Sequence, residues 1–408
     1  MPADQFDVVI VGGGLVGISL ACALQGRGWR IALLESRTLS ATHRPAGFDE
    51  RALALSLGTQ RYLRGLGLWD GVAAVATPIG EVHVSEYRGL GCVRFKARRL
   101  GVDALGFVVG AADLGAVMAA RLPRLPATRC LDNTVLLEVT AGRAAVDLMV
   151  STQGRRRRLR ARLLIAADGI DSTVRTMLGI GAFRHDYHQH AMVATVQTAR
   201  SHNGVAYERF TTHGPMALLP MRSLSRQCRM ALIWTMPSAA VANHLAAVDT
   251  TVLAQLQQVM GWRLGRFLAI GRRRAWPLQS IRAAESTRPR TVVLGNAAHT
   301  LHPVAGQGFN LSLRDVAALD RLLCATAADP GDPERLQAFA QSRHADQRMV
   351  MGATDALIRG FGDDSAPARV ARSAGLMAVQ ALPPLRHWLA RRAMGLTDPL
   401  DGPAGQPV

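Results

Sequence analysis

The sequence predicts a mixed α/β protein: a doubly wound parallel sheet, a smaller antiparallel sheet and a helical C-terminal region. Three observations predict it. Val8 to Val11 is an apolar, β-branched run that fits a strand buried on both faces, and a glycine-rich turn and a helical stretch follow it. Between about Tyr187 and Trp276 the texture changes to short strand-like runs separated by polar turns, such as Met192–Thr198 and Met230–Met236. Thr291 to Leu294 then returns to the short, buried, parallel type, again ahead of a glycine-rich turn.

In chain order, Asp7 to Val11 is the first strand, and a helix runs through Gln25 until Gly26 and Gly28 end it. Arg30 to Glu35 is the second strand, which completes a βαβ unit of ordinary size. Phe48 to Leu68 reads as a helix, and Val82 to Phe95 as a hairpin broken at Gly89 and Gly91. Ala112 to Arg121 reads as a helix, and Val135 to Val150 as a meander with turns at Gly142 and Gly154. Leu163 to Ala167 is a short apolar strand, and a helix covers Phe309 to about Ala325. Beyond Pro333 the chain is mainly helical.

Composition bounds the function classes. The 408 residues are 49% hydrophobic and 19% charged, which excludes a disordered chain. No run of 18 apolar residues occurs and the N-terminus lacks a basic signal region, so a cytoplasmic protein is expected. Five scattered cysteines form no CxxC pair and are expected to be packing thiols. The net charge of +18 is carried by arginine, Lys96 being the only lysine. Such a charge suits nucleic acid or an anionic membrane, but with no nucleic-acid motif beside it no nucleic-acid partner is expected.

The first turn has the spacing of a Rossmann fingerprint: Gly12-Gly13-Gly14-Leu15-Val16-Gly17. Gly12 permits the tight turn, Gly14 lets a pyrophosphate approach the backbone, and Gly17 allows close helix–strand packing. The N–H groups at Leu15 and Val16 open the helix, where its dipole favours phosphate. Glu35 lies 18 residues past Gly17, placed to accept both hydroxyls of an adenosine ribose. A carboxylate there opposes a 2′-phosphate, so the bound dinucleotide is FAD or NAD.

Two further stretches carry the choice. One is residues 166–175 (AADGIDSTVR), the other residues 295–310 (GNAAHTLHPVAGQGFN). With these the chain resembles the aromatic-ring flavoprotein monooxygenases, the group of para-hydroxybenzoate hydroxylase. Residues 47–56 (GFDERALALS), 207–211 (YERFT), 214–220 (GPMALLP) and 261–265 (GWRLG) narrow the resemblance to the ubiquinone-biosynthesis hydroxylases. Within them it is most similar to the branch acting on 2-polyprenyl-6-methoxyphenol, over roughly residues 5 to 395. The third motif departs from the usual Gly-Asp: here it is Gly295-Asn296. An amide oxygen still accepts a hydrogen bond from the ribityl chain, and the same amide agrees with that branch.

The resemblance implies an FAD-dependent hydroxylase of a polyprenylated phenol, using molecular oxygen through a C4a-hydroperoxyflavin, with NADH or NADPH as electron donor. It implies a nucleotide domain in three segments, 1–76, 101–182 and 285–330, and a substrate domain from a hairpin, 77–100, and a sheet, 183–284. Residues 331–408 form the C-terminal region. Gly306-Gln307-Gly308 opens a helix whose N–H groups would face the flavin N1–C2=O edge, with Asn310 one turn on. Arg51 is the candidate for reaching the flavin or its ribityl–phosphate chain, and Asp168 for contacting the cofactor or ordering its loop. Leu301, His302 and Pro303 would border the ring pocket.

His299 and His302 stand three residues apart without a nearby Glu or Cys at ligand spacing, so structural roles are favoured over a metal. Residues 184–190 (RHDYHQH) read as the crossover into the second sheet. The basic run Arg155 to Arg162 reads as a solvated hairpin. Met377 to Leu396 mixes Leu, Trp388 and Met394 with arginines; it is either a helix packed on the body or a peripheral contact with the inner membrane face or other ubiquinone-biosynthesis proteins. A flavin-dependent prenyl-lipid reductase and a non-catalytic scaffold are the competing functional readings.

Overall fold

The computed structural model describes residues 4–39, 51–211, 213–224, 227–302, 306–324, 329–362 and 365–396. At its centre the strand Asp4–Val11 pairs in parallel on both sides. Val9 lies opposite Ala32 of the strand Ile31–Leu34 and opposite Leu164 of the strand Arg155–Ala166. Thr128–Leu131 continues the sheet beyond Ile31–Leu34, and Thr291–Val293 beyond Arg155–Ala166, both in parallel.

Because these strands are apolar on both faces, each face must be covered. Val8 and Ile10 pack under the helices Leu15–Ala23 and Gln307–Cys324, with Ile18, Leu313 and Val316 in the same core. Val9 and Val11 face the other way, against Leu136, Leu148 and Val174. Those residues belong to the meander strands Thr134–Ala141 and Val146–Thr152 and to the short helix Thr173–Met177.

The basic run is one arm of a largely solvated hairpin, as expected: it opens the strand Arg155–Ala166, which turns back on Val146–Thr152 through Gln153-Gly154. Its first half pairs antiparallel with Val146–Thr152 and its second half joins the parallel sheet. Leu159 and Ala161 are buried between the arginines, while Arg157 and Arg162 reach Asp4 and Asp7 at 3.0 and 3.1 Å. Alternation was present in the sequence but masked by the uniform charge.

The second sheet runs in the order His299–Thr300, Arg274–Ala283, Ala182–Thr198, Gln227–Pro237, Gly214–Leu224, Val205–Thr211, Glu81–Glu86, Cys92–Lys96. Its pairs are antiparallel except Val205–Thr211 with Glu81–Glu86, where the hairpin joins. The histidine-rich segment is no separate crossover. It lies inside the strand Ala182–Thr198, whose register against Arg274–Ala283 shifts between Asp186 and His190, with His188 at φ 52°. That is a bulge, which lets one strand serve two stretches of its partner.

Of the expected helix from Phe48 to Leu68, residues 48–50 lie outside the described residues. Ala52–Ser56 is a strand, paired with Gly106–Gly110, which also pairs with Thr77–Ile79. Alanine and leucine favour helix, but their strict alternation here has period two, and tertiary pairing decides. The helix proper, Leu57–Gly65, starts at Ser56, whose hydroxyl accepts the Thr59 N–H at 3.1 Å. At the C-terminus follow the long helix Pro333–Gly362 and the helices Ala366–Ala381 and Pro383–Ala393.

Candidate functional site

Four loops leave the parallel sheet at the C-terminal ends of its strands, where an open α/β sheet binds its ligand. Gly12 follows Asp4–Val11, Glu35 follows Ile31–Leu34, Asp168 follows Arg155–Ala166, and Gly295 follows Thr291–Val293. Gly12 and Gly17 take the turn and the close packing that their spacing predicts. Gly12 has φ +110°, and a Cβ there would stand 2.3 Å from the Ala167 carbonyl oxygen. A Cβ on Gly17 would stand 1.9 Å from the Gly12 carbonyl oxygen, so the helix sits directly on the turn. At Gly14, the N-cap of the helix Leu15–Ala23, a Cβ would meet nothing within 4 Å. That open space lies before Leu15 and Val16, whose N–H groups at the first turn have no intrahelical acceptor.

Glu35 points back over this turn. Its Oε2 accepts the Gly13 N–H at 2.8 Å, while Oε1 accepts the Arg37 N–H and the Ser36 hydroxyl at 3.1 Å. The carboxylate is thus fixed beside the turn.

The second and third motifs meet the first. Gly295 has φ +59°, and a Cβ on it would come within 3.0 Å of the Val16 side chain. Arg175 is buried; its Nη1 donates to the Ala297 carbonyl at 2.6 Å and its Nη2 to the Ile170 carbonyl at 2.9 Å. Burial lowers the pKa of this guanidinium. Asp168 orders its loop: its Oδ2 accepts the Thr173 hydroxyl at 3.1 Å and the Val174 N–H at 3.0 Å. Its Oδ1 is buried and has no hydrogen-bond partner among the described residues. Asn296 is exposed in the tight turn Gly295–Ala297, with its carbonyl accepting the Thr300 hydroxyl at 3.3 Å.

The helix Gln307–Cys324 presents a second N-terminus. Gly306 has φ +60°, with the Ala54 side chain 3.0 Å from where its Cβ would be, and Gly308 has open space. Asn310 takes a different part from the one its motif suggested. Its Oδ1 accepts the Ser56 N–H, and its Nδ2 donates to the Ala54 and Gly306 carbonyls, all at 2.9 Å. Both amide hydrogens are therefore spent on fastening the loop to the strand Ala52–Ser56. Arg51, at the head of that strand, stacks on Trp276 with its guanidinium carbon 4.7 Å from the ring centre. Burial lowers its pKa.

Leu301 is half-buried and His302 almost wholly buried, while Pro303 lies outside the described residues. The His302 ring meets Tyr187 edge to face at 5.1 Å, and the Tyr187 hydroxyl bonds Asp355 of the long helix. Burial pushes His302 down to about 4, and burial together with the Asp355 bond pushes Tyr187 up to about 12. Both are neutral near pH 7.

His299 is structural. Its Nε2 bonds Asp315 at 2.5 Å, and Arg343 and Gln347 donate to the same carboxylate at 2.7 and 3.1 Å. Burial opposes the charge on Asp315, but His299 and Arg343 outweigh it and hold the carboxyl below its usual range. Sequence reasoning gave no part to Arg175, Trp276, Tyr187, Asp315 or Arg343. Arg175 was visible in its motif; the others come from elements that only folding brings together.

Two helix N-termini, a carboxylate held beside the first turn and a buried carboxylate oxygen without a hydrogen-bond partner among the described residues fit an extended dinucleotide such as FAD. Residues 5–354 match the FAD binding domain family. The ubiquinone hydroxylase UbiL of Rhodospirillum rubrum is 38% identical over 95% of this chain and 89% of its own length. The 3-demethoxyubiquinol 3-hydroxylase of Escherichia coli is 30% identical over 97% of this chain and 100% of its own. Among solved structures, p-nitrophenol 4-monooxygenase PnpA of Pseudomonas putida shares the fold, with TM-score 0.77 and 18% identity over 96% of this chain and 98% of that one. The chain belongs to the FAD-dependent hydroxylases of ubiquinone biosynthesis, flavoprotein monooxygenases of the para-hydroxybenzoate hydroxylase fold.

Proposed function

We propose that the protein hydroxylates the aromatic ring of a polyprenylated phenol of the 2-polyprenyl-6-methoxyphenol type. Molecular oxygen is the co-substrate and NADH or NADPH the electron donor. Bound FAD supplies the oxygen-activating chemistry. The chain's residues bind, orient and seal. The N–H groups at Leu15 and Val16 hold the pyrophosphate, Glu35 the adenosine ribose, and Asp168 and Asn296 the ribityl and phosphate region. The N–H groups of Gly306 to Gly308 face the flavin edge on which negative charge develops. Arg51, stacked on Trp276, stands between the nucleotide loops and the second sheet.

The observation that carries the phenolic substrate is the pair His302–Tyr187 beside the loop that would border the ring. Both groups are neutral near pH 7, and the half-buried Tyr187, whose hydroxyl hydrogen is engaged by Asp355, keeps oxygen lone-pair capacity to accept from a phenolic hydroxyl. The names of the UbiL and E. coli relatives support a quinone precursor. The test is oxygen uptake and product analysis on FAD-loaded protein with NADH or NADPH. Prenylated methoxyphenol should yield one ring hydroxyl per oxygen consumed. Turnover of demethoxyubiquinol alone would move the assignment to the other branch, and reduction of a prenyl chain without oxygen uptake would overturn it.

A further inference from the structure

Two of the stretches that narrow the family resemblance, 207–211 and 261–265, have no part in the nucleotide site, and they meet on one face of the second sheet. The helix Asp249–Met260 covers that face with Val252, Leu256 and Met260, packed on Met192, Met216 and Leu218. Beyond the helix the face turns polar. Tyr207 stands opposite Leu218 on one side and His83 on the other, and His83 stands opposite Arg94. Two residues on, Arg209 stands opposite Met216 and Ser85. Opposed and alternate residues of a sheet share a face, so His83, Ser85, Arg94, Tyr207 and Arg209 continue this surface past the helix. Trp276 lies on the other face, since it stands opposite Ala191 and the adjacent Met192 packs under the helix. The nucleotide loops, which reach Trp276 through Arg51, are therefore on the far side of the sheet.

The turn that ends the helix brings Arg263 to this polar half. Gln257 fastens the turn: its Nε2 donates to the Gly261 and Gly265 carbonyls at 2.7 and 3.1 Å, and its Oε1 accepts the Phe267 N–H at 3.1 Å. Leu264 is buried in the core, while Trp262 is 63% exposed and Arg263 is exposed. His83 is 2% exposed, and its Nε2 has no hydrogen-bond partner among the described residues. Arg209 donates from Nη1 to the Ser85 hydroxyl at 3.2 Å, but its Nε is also buried without a partner among them. Burial and the charges of Arg263, Arg94 and Arg209 push His83 down to about 4. Glu81, on the same face, is shared by Arg94 at 3.7 Å and Lys96 at 3.5 Å, whereas Arg209 and Arg263 have no ion pair among the described residues. Three guanidiniums held round an uncharged imidazole repel one another, and two buried nitrogens stay unsatisfied; a bound anion relieves both.

We propose that Arg94, Arg209 and Arg263, around His83, form a binding site for a phosphate group. Its oxygens take charge-assisted hydrogen bonds from the forked guanidiniums, and Trp262 at the rim offers a ring face to a base attached to the phosphate. An acidic protein surface would meet Trp262 and Arg263 at the rim and leave Arg209 and His83 as they are, so the site calls for a small ligand.

The test titrates the full FAD-loaded chain with pyrophosphate and with ADP by calorimetry, at one ionic strength held with chloride. Binding is expected with a Kd below about 1 mM. The His83 imidazole, followed by NMR, should titrate at higher pH with ligand present, because the anion offsets the three arginines. Arg263→Gln and Arg209→Gln should each weaken binding about tenfold or more, while Arg124→Gln, an exposed arginine near the strand Thr128–Leu131, should leave it unchanged. If Arg209→Gln fails to fold, Arg263→Gln decides, since Arg263 is exposed. ADP tighter than pyrophosphate, with the excess lost in Trp262→Leu, supports a nucleotide as the source of the phosphate; equal binding supports the free ion. No binding of either at about 10 mM overturns the proposal, as does binding that Arg263→Gln retains or that Arg124→Gln weakens as much.

Discussion

Arg175 closes the site by donating to the carbonyl of Ala297, 122 residues away in sequence, at 2.6 Å. Through this bond and the one to Ile170 the second motif holds the third in place. Replacing Arg175 by Met leaves two carbonyls short of a donor, at about 1–3 kcal/mol each. We expect a loss of stability of about 2–4 kcal/mol, and FAD affinity lowered about tenfold as the Gly295–Ala297 turn loosens. Chemical denaturation and fluorescence of released FAD measure the two effects separately.

Gly14 and Gly17 should separate binding from folding. Gly17→Ala drives a methyl group into the Gly12 carbonyl, a backbone contact that cannot swing away. It should cost about 3 kcal/mol or more. Gly14→Ala meets open space and an ordinary φ of −77°, so the protein without cofactor should lose less than about 1 kcal/mol. Its FAD affinity should nevertheless fall, because the methyl group takes the space before the helix N-terminus. Equal FAD affinity in Gly14→Ala and the parent would refute the placement of the pyrophosphate.

Stability should fall between pH 7 and pH 5. His302 and His83 are both buried and pushed down to about 4, chiefly by burial. Between about 6.5 and 4 the unfolded chain binds protons that the native state refuses, so stability rises with pH across that window. Each histidine contributes about 2 kcal/mol of loss between pH 7 and pH 5. His302→Gln should flatten the slope by about half of the combined effect in urea titrations at fixed ionic strength.

Asp315→Asn removes the charge that His299 and Arg343 share in the core. Breaking one partner of a buried network leaves the others uncompensated, at about 3–5 kcal/mol. The melting temperature should drop sharply, and the loss should be smaller in the double variant with Arg343→Met than the sum of the two single losses.

Much of this was legible beforehand, for specific reasons. Gly12, Gly14, Gly17 and Glu35 are tied to local backbone geometry, and local geometry leaves a spacing in the sequence. Ala52–Ser56 was misread as helix because its partner, Gly106–Gly110, lies fifty residues away and nothing local reports the pairing. Arg155–Arg162 reads as a solvated hairpin, which it is, but its continuation into the parallel sheet is not legible because arginines conceal an alternating strand whose apolar positions in that run are only Leu159 and Ala161. Asn310 looked like a ligand because it closes a ligand motif, yet its amide ties the loop to a strand. Tyr187, Trp276 and Arg343 had no sequence signal at all: their meaning arises from contacts between distant segments.

The long helix Pro333–Gly362 touches both halves of the molecule, through Arg343 at the nucleotide side and Asp355 at the second sheet. Twelve residues separate the two, about 18 Å of helix and three and a third turns. The helix therefore works as a ruler with a fixed phase. One residue inserted between the marks would turn one of them about a third of the way round the axis, and the two halves could no longer be gauged against each other.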